Sequence, residues 1–216
     1  MESDVPKPFL KIGGRTILEW TVSRFASIPY VREVIIATGP DSIDHVRSIL
    51  EPDPVFETKM LHVVEGGADR QESVGKGLAV VGDVDLVAVH DAVRPFVKLQ
   101  HIDQCCDTAL ECGGAVLGIP ARDTIKECDE DGYVHETPDR SRLWQCQTPQ
   151  VFPVKVLREA FRIAEETGFK GTDDASLVEH MGGVVRMVQG DASNIKVTYP
   201  QDMIFAEILI ERQKRE

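Results

Sequence analysis

Two rhythms of apolar positions alternate along this chain. Short runs rich in β-branched residues fall at 31–38, 61–64, 85–90, 115–119 and 184–188, and each predicts a strand. Between and after them, apolar residues spaced three and four apart predict helices over 16–28, 42–50, 71–80, 99–112, 154–167, 174–181 and 200–214. Several starts are marked locally, by Pro40-Asp41-Ser42, by Thr172-Asp173 and by Pro200 in the first turn of the last helix. Gly182-Gly183 supplies a left-handed stop for the helix before it. Strands this apolar, alternating with amphipathic helices, predict an α/β fold with a mostly parallel sheet and helices on both faces. No repeat, low-complexity tract or linker interrupts the pattern, so residues 1–216 read as a single domain.

One stretch breaks the rhythm. Residues 122–144 are polar, and Asp129-Glu130-Asp131-Gly132 forms a turn signal between short extended runs at 125–128 and 133–136. That predicts a protruding β-hairpin arm. An arm this polar has little reason to fold onto its own core, so it is expected to dock on another subunit and make a homodimer.

Charge narrows the class of partner. The 216 residues carry 24 Lys+Arg against 36 Asp+Glu, a formal net charge of −12, with 42% hydrophobic and 28% charged residues. That balance is globular, and it argues against nucleic acid or an anionic membrane as partner, because no net positive field exists to displace counterions. Any phosphate chemistry must use a local basic cluster. No stretch approaches the roughly 18 uninterrupted apolar residues of a membrane span. Met1-Glu2-Ser3-Asp4 lacks the basic and apolar regions of a secretory signal, which predicts a cytoplasmic protein. Of the five cysteines, Cys105, Cys106, Cys112, Cys128 and Cys146, none lies in a Cys-x-x-Cys pair, so reduced thiols are expected rather than a zinc site.

In open α/β sheets, ligands bind beyond the carboxyl ends of the strands. The strand at 85–90 runs into His90-Asp91-Ala92-Val93-Arg94-Pro95, which sets a carboxylate and a guanidinium at that edge. Asp91 suits Mg²⁺, which combines one or two carboxylates with phosphate oxygens and water, and Arg94 offers a planar fork to phosphate. A helix-capping Asp beside a surface Arg would share this spacing. Glu65-Gly66-Gly67-Ala68-Asp69 opens a helix, where backbone amides and the helix field favour an anion, although a simple turn looks the same. In Asn194-Ile195-Lys196-Val197-Thr198 a lysine interrupts an apolar strand, which calls for an anion unless Lys196 points to solvent from an edge. Lys7, between Pro6 and Pro8, sits on a stiff non-helical segment, where solvation is its default.

In order along the chain stand Pro-Lys-x-Phe-Leu, Gly-Gly-x-x-Arg-x-x-Ser-Val, His-Asp-Ala-x-Arg-Pro, Arg-Asp-Thr-Ile-Lys, Gln-Thr-Pro-Gln-x-Phe, Thr-Asp-Asp-Ala-Ser and Asn-Ile-Lys-Val-Thr. This series, spanning 6–207, resembles the 2-C-methyl-D-erythritol 4-phosphate cytidylyltransferases. The resemblance implies a Rossmann-like fold and a transferase that joins CTP to methylerythritol 4-phosphate, a sugar-alcohol phosphate. The products are the cytidine diphosphate alcohol and pyrophosphate, on the route to isoprenoids. It implies that Lys7 and Lys196 contact the triphosphate and the transition state. Asp91 would hold Mg²⁺ and face the sugar alcohol, with Arg94 lining the pocket. Thr124, Arg140, Thr148 and Thr172 match positions that grip the sugar phosphate, Arg140 reaching the neighbouring subunit's site from the arm. Gly67, Ala68 and Ser73 match positions around the cytosine, with Ala68 where the family usually has Asp.

The family also begins with a strand and a glycine-rich loop, Ala-Ala-Gly-x-Gly-x-Arg-Met, which wraps the triphosphate. That pattern does not precede Pro6 here, so either the start is assigned at an internal methionine or the chain is short. A chain without it is expected to bind CTP poorly, to leave adjoining strand edges unpaired, and to turn over slowly until the upstream residues are restored. Three other readings compete. A ribitol 5-phosphate cytidylyltransferase is disfavoured by Lys126 after Thr124, by Arg140 and by Leu143-Trp144. A non-catalytic scaffold has no reason to keep Lys7, Asp91, Arg94 and Lys196 together. An NAD-dependent oxidoreductase lacks its Gly-x-Gly-x-x-Gly.

Overall fold

Side chains along a strand point alternately to its two faces, and here each face finds its own helices. The computed structural model describes residues 5–213. After a 3₁₀ turn at Lys7–Phe9 come β1 (Lys11–Ile12), β2 (Arg15–Thr16), α1 (Ile17–Ala26), β3 (Glu33–Thr38), α2 (Ile43–Leu50), β4 (Met60–Glu65) and α3 (Arg70–Ala79). Then follow β5 (Leu86–Val89), α4 (Leu99–Cys112), β6 (Ala115–Pro120), the arm strands β7 (Glu127–Cys128) and β8 (Val134–Glu136), and β9 (Trp144–Pro153). The chain finishes with α5 (Val154–Thr167), α6 (Asp174–His180), β10 (Arg186–Gln189) and α7 (Pro200–Gln213). Lys214, at the predicted end of the last helix, and the opening residues 1–4 lie outside the described residues.

The α/β class stands, with helices on both faces. In β6, Val116 turns to a cluster built by α3, α5 and α6, while Ala115 and Leu117 turn to α4. Phe152 and Val151 of β9 divide in the same way. Leu157, Ala160 and Ala164 form the buried stripe of α5 at helical spacing, and Gly168, with φ +68°, ends that helix in the left-handed conformation. Thr16 caps α1 through a reciprocal pair with Glu19, and Asp173 caps α6 with Ser176 in the same way.

The sheet is less parallel than the apolar runs suggest. Its order is β10–β6–β9–β5, with β10 parallel to β6 but β9 antiparallel to both β6 and β5. The pattern missed β9 because Gln145-Cys146-Gln147-Thr148-Pro149-Gln150 is polar and contains a proline. Pro149 has no N–H to give, and the ladder accommodates it: the β6 register slips between Val116 and Gly118, and the β5 ladder ends at the Val89–Gln150 pair. β3 and β4 form a separate parallel pair. Among the described residues β3 pairs with β4 alone and β5 with β9 alone, yet Ile35 of β3 and Val87 of β5 pack on the same helical cluster.

Two local expectations are corrected. Residues 194–198 belong to no strand or sheet, and are held instead by the Val197 N–H donating to the Val93 carbonyl at 2.9 Å. Lys7 sits in a 3₁₀ turn, closed by the Phe9 N–H on the Pro6 carbonyl, because the prolines fix φ without forbidding one tight turn. The arm is a hairpin with shorter strands than its runs suggested. Its turn is organised by Asp129 Oδ1, which accepts from the N–H groups of Asp131 and Tyr133, and by Gly132 at φ +85°. All five cysteines are free. No helix among the described residues is long and apolar enough to cross a membrane.

Candidate active site

The strand β5 delivers its last residue to a turn, closed by the Arg94 N–H on the Asp91 carbonyl at 3.0 Å. That turn folds the guanidinium of Arg94 back on the carboxylate of Asp91, with Nε 3.1 Å from Oδ2. Arg94 Nη1 donates to the Asn194 carbonyl at 2.8 Å, which draws the 194–198 segment alongside. Lys196 thereby places Nζ 3.2 Å from the same Asp91 Oδ2, and Arg70, in the first turn of α3, places Nε 3.8 Å from Oδ1. Three cations from three distant segments surround one carboxylate. This is the local basic cluster that an acidic protein needs for phosphate chemistry.

Asp91 is largely buried, and burial alone would raise its pKa. The charges of Lys196 and Arg94 override that and hold it below the ordinary carboxylate range. Its backbone N–H donates to Thr148 Oγ1 at 3.0 Å, and the same hydroxyl meets His90 Nδ1 at 3.0 Å. His90 Nε2 faces the Arg94 carbonyl at 2.9 Å, so Nε2 carries the proton and Nδ1 accepts from Thr148. Burial pushes the His90 pKa down to about 4, against the pull of that carbonyl bond, and the ring is neutral at pH 7.

The predicted residues sort accordingly. Arg94, Lys196 and Thr148 each contact Asp91, and the buried Thr148 hydroxyl joins the Asp91 backbone N–H to His90, which orients the turn. Thr172 is exposed beside Asp173, the cap of α6. Thr124 and Arg140 are exposed at the base of the arm, and Arg140 Nη1 donates to the Arg122 carbonyl at 2.5 Å. Lys7 is not among the ion-pair partners of Asp91; its charge acts on Asp202, at the start of α7. Gly67, Ala68 and Ser73 form one loop, but it is stitched to itself. The Gly67 N–H donates to Ser73 Oγ at 2.9 Å and the Ala68 N–H to Glu72 Oε2 at 2.8 Å. A Cβ at Gly67 would lie 2.4 Å from the Glu72 side chain, so the glycine makes room for that closure.

Four further residues were not singled out by type or spacing. Gln150, 2% exposed, donates to Asp173 Oδ2 and accepts from the N–H groups of Asp174 and Ala175. Gln147 accepts from Asn194 Nδ2 at 3.1 Å. Asp174, 1% exposed, takes Arg70 Nη2 at 2.6 Å. All four stand in the motif series, Arg70 in Gly-Gly-x-x-Arg, Gln147 and Gln150 in Gln-Thr-Pro-Gln, and Asp174 in Thr-Asp-Asp; what the motifs do not disclose is the partners that bury them.

Asp91 fits Mg²⁺ only as one ligand among several. Its Oδ2 is taken by Arg94 and Lys196, whereas among the described residues Oδ1 has only Arg70, beyond hydrogen-bonding distance, and is left to a hard cation. Among the described residues no group of three or more His, Cys, Asp or Glu side chains could cage a metal. Such a single-carboxylate site suits an ion whose other ligands are phosphate oxygens and water.

Comparison with known proteins agrees with this chemistry. The family model for 2-C-methyl-D-erythritol 4-phosphate cytidylyltransferase matches residues 1–212. A protein of that name from Caldanaerobacter subterraneus subsp. tengcongensis is 39% identical over 98% of this chain and 93% of its own length. One from Symbiobacterium thermophilum is 42% identical over 100% of this chain and 89% of its own. Among solved structures, the 4-diphosphocytidyl-2C-methyl-D-erythritol synthase of Anaerococcus prevotii superposes with a TM-score of 0.87 at 30% identity, covering 96% of this chain and 91% of that one. The 2-C-methyl-D-erythritol 4-phosphate cytidylyltransferase of Thermus thermophilus gives 0.79 at 35% identity, covering 95% and 94%.

Proposed function

The chain belongs to the 2-C-methyl-D-erythritol 4-phosphate cytidylyltransferase family, and from that premise we propose how its own residues serve the reaction. It is a nucleotidyltransferase that moves CMP from CTP to 2-C-methyl-D-erythritol 4-phosphate in isoprenoid biosynthesis. A substrate phosphate oxygen forms a bond to the α-phosphorus of CTP as the bond to the β-phosphate oxygen breaks, and pyrophosphate leaves. Two anions must meet, so the protein's work is neutralisation and alignment rather than covalent catalysis.

Lys196 takes the leading part in that task. Its side chain is 44% exposed, so the ammonium can turn from Asp91 to a phosphate while Arg94, more enclosed, stays on the carboxylate. Asp91, ionised at neutral pH, holds the cations together against their mutual repulsion and would offer Oδ1 to Mg²⁺, which when bound would spread charge over the phosphate oxygens. Lys7 approaches the triphosphate from the 3₁₀ turn. Thr172, Thr124 and Arg140 grip the sugar phosphate, and Gly67, Ala68 and Ser73 bound the cytosine. Residues 1–216 act as one domain, and the arm docks on a second copy, as Tyr133 and Val134, 74% and 58% exposed, would favour. Five free thiols suit a cytoplasmic enzyme.

The observation that carries this reading is the convergence of Lys196 and Arg94 on Asp91. Pyrophosphate release from CTP, measured with methylerythritol 4-phosphate and with ribitol 5-phosphate, tests it. The methylerythritol ester should react faster and require Mg²⁺; faster reaction with ribitol 5-phosphate, or a rate indifferent to Mg²⁺, would overturn it.

A further inference from the structure

We infer that Arg70 is a positioning residue that fixes the orientation of the Asp91 carboxylate, with Asp174 as its buried anchor. The inference rests on the reading of Asp91 given above. It begins from the way α3 starts. Asp69 caps the helix by accepting from the Glu72 N–H at 2.8 Å, and Lys170 reaches across to the same Asp69 at 2.6 Å. Gln71 makes two bonds to the segment before α6, donating to the Phe169 carbonyl and accepting from the Gly171 N–H at 3.0 Å. The first turn of α3 is therefore fastened to residues 169–174 on both sides of Arg70.

Arg70 then has one strong partner and one weaker. Nη2 donates to Asp174 Oδ2 at 2.6 Å, and Asp174 is held in place because Gln150 Oε1 takes its backbone N–H at 3.0 Å. The other oxygen of Asp174, Oδ1, is buried with no hydrogen-bond partner among the described residues, so the charge depends on Arg70 for compensation. Because the guanidinium is planar and rigid, anchoring Nη2 also decides where Nε lies, which is 3.8 Å from Asp91 Oδ1. Arg94 and Lys196 grip only Oδ2. Arg70 is thus the charge that steers the second oxygen, the one left open to the cleft. With all three in place the carboxylate plane is defined at both ends. Without Arg70 it can rotate about the Oδ2 contacts and carry Oδ1 out of register with the incoming phosphates.

A purely structural Arg70–Asp174 pair is the alternative, and the double variant Arg70→Gln/Asp174→Asn separates the two. It removes both charges together, so no unpaired buried ion remains and the Tm should stay within about 3 °C of the parent. If Arg70 positions Asp91, kcat should nonetheless fall by at least about tenfold, with both KM values changed by less than about threefold. Arg70→Lys keeps a cation for Asp174 but loses the fork, and should also lower kcat by about fivefold or more with little change in Tm. A kcat within about twofold of the parent in either folded variant overturns the inference, as does a double variant that fails to fold. Crystal structures of the parent and the double variant give a readout free of turnover: the Asp91 carboxylate should rotate in the variant, and an unchanged rotamer overturns the inference. Should the parent itself release no pyrophosphate, the reading of the site fails, and Arg70 is then decided on those structures alone.

Discussion

The surroundings of Asp91 and the arm at 122–144 are both polar, and they are built in opposite ways. Around Asp91 the bonds are long-range: Arg94 to Asn194, Arg70 to Asp174 and the Asp91 N–H to Thr148 join residues 100, 104 and 57 positions apart. In the arm they are local, as with Asp129 to Tyr133 and Lys126 to Thr137, 4 and 11 positions apart. The first region has its geometry imposed by the whole fold of this chain. The second has only a turn and a short ladder to hold it, and leaves its apolar side chains uncovered. A site that must place charges to within a fraction of an ångström is made of the first kind of structure, and the element proposed to dock on a second copy is made of the second.

Breaking the long-range region should have the largest effect. Asp91→Ala leaves Arg94, Lys196 and Arg70 repelling one another and removes the open carboxylate oxygen, so Mg²⁺-dependent turnover should fall by about 10³-fold or more. Circular dichroism should show the fold retained. A near-normal rate would remove Asp91 from the chemistry.

Acid should loosen the same region before it touches the arm. The folded His90 has its pKa lowered from 6.5 to about 4, so on acidification the unfolded chain takes up the proton first. The stability this provides is complete above pH 6.5 and is lost as pH falls from 6.5 to about 4, amounting to at most roughly 3 kcal/mol. Hydrogen exchange at 90–94 should rise across that window, and His90→Gln should flatten the pH dependence of the denaturation midpoint. An unaltered slope in that variant would sink the assignment.

Effects in the arm should be smaller and of another kind. Arg140→Ala should raise KM for the sugar phosphate by about tenfold and leave kcat and Tm nearly unchanged, because its contacts within this chain are local. An unchanged KM would contradict a site shared through the arm. At the far end of the scale, Arg162 pairs with Glu159 and Glu166 on the exposed face of α5, and Arg162→Ala should shift Tm by no measurable amount.

The same contrast explains what the sequence discloses. α4 and α5 are legible to the residue because their apolar spacing is regular and their ends carry glycine caps at Gly113 and Gly168. Asp91, Arg94 and Lys196 are legible as chemistry, being charged residues that follow or interrupt apolar runs. β9 is not legible, because Gln147 and Gln150 are buried only by virtue of Asn194, Asp173 and Asp174, which lie elsewhere in the chain. Local pattern assigns such residues to the surface. The resemblance assigns Thr148 to the substrate and Lys7 and Lys196 to the triphosphate, whereas the partners within the chain are visible only in the fold: His90 for Thr148, Asp202 for Lys7 and Asp91 for Lys196. A side chain's type announces what it can do, whereas its partner is a property of the fold.

Lys196 bears the central claim, that a cation held on Asp91 is released to the phosphates as the two anions meet. Its most direct test is kcat for Lys196→Ala at saturating CTP, sugar phosphate and Mg²⁺, alongside the Tm of the same variant. A fall of about 10²- to 10³-fold in kcat, with Tm within about 2 °C of the parent, is the result predicted. A kcat within about threefold of the parent would contradict the account, because charge neutralisation at that point would then be dispensable.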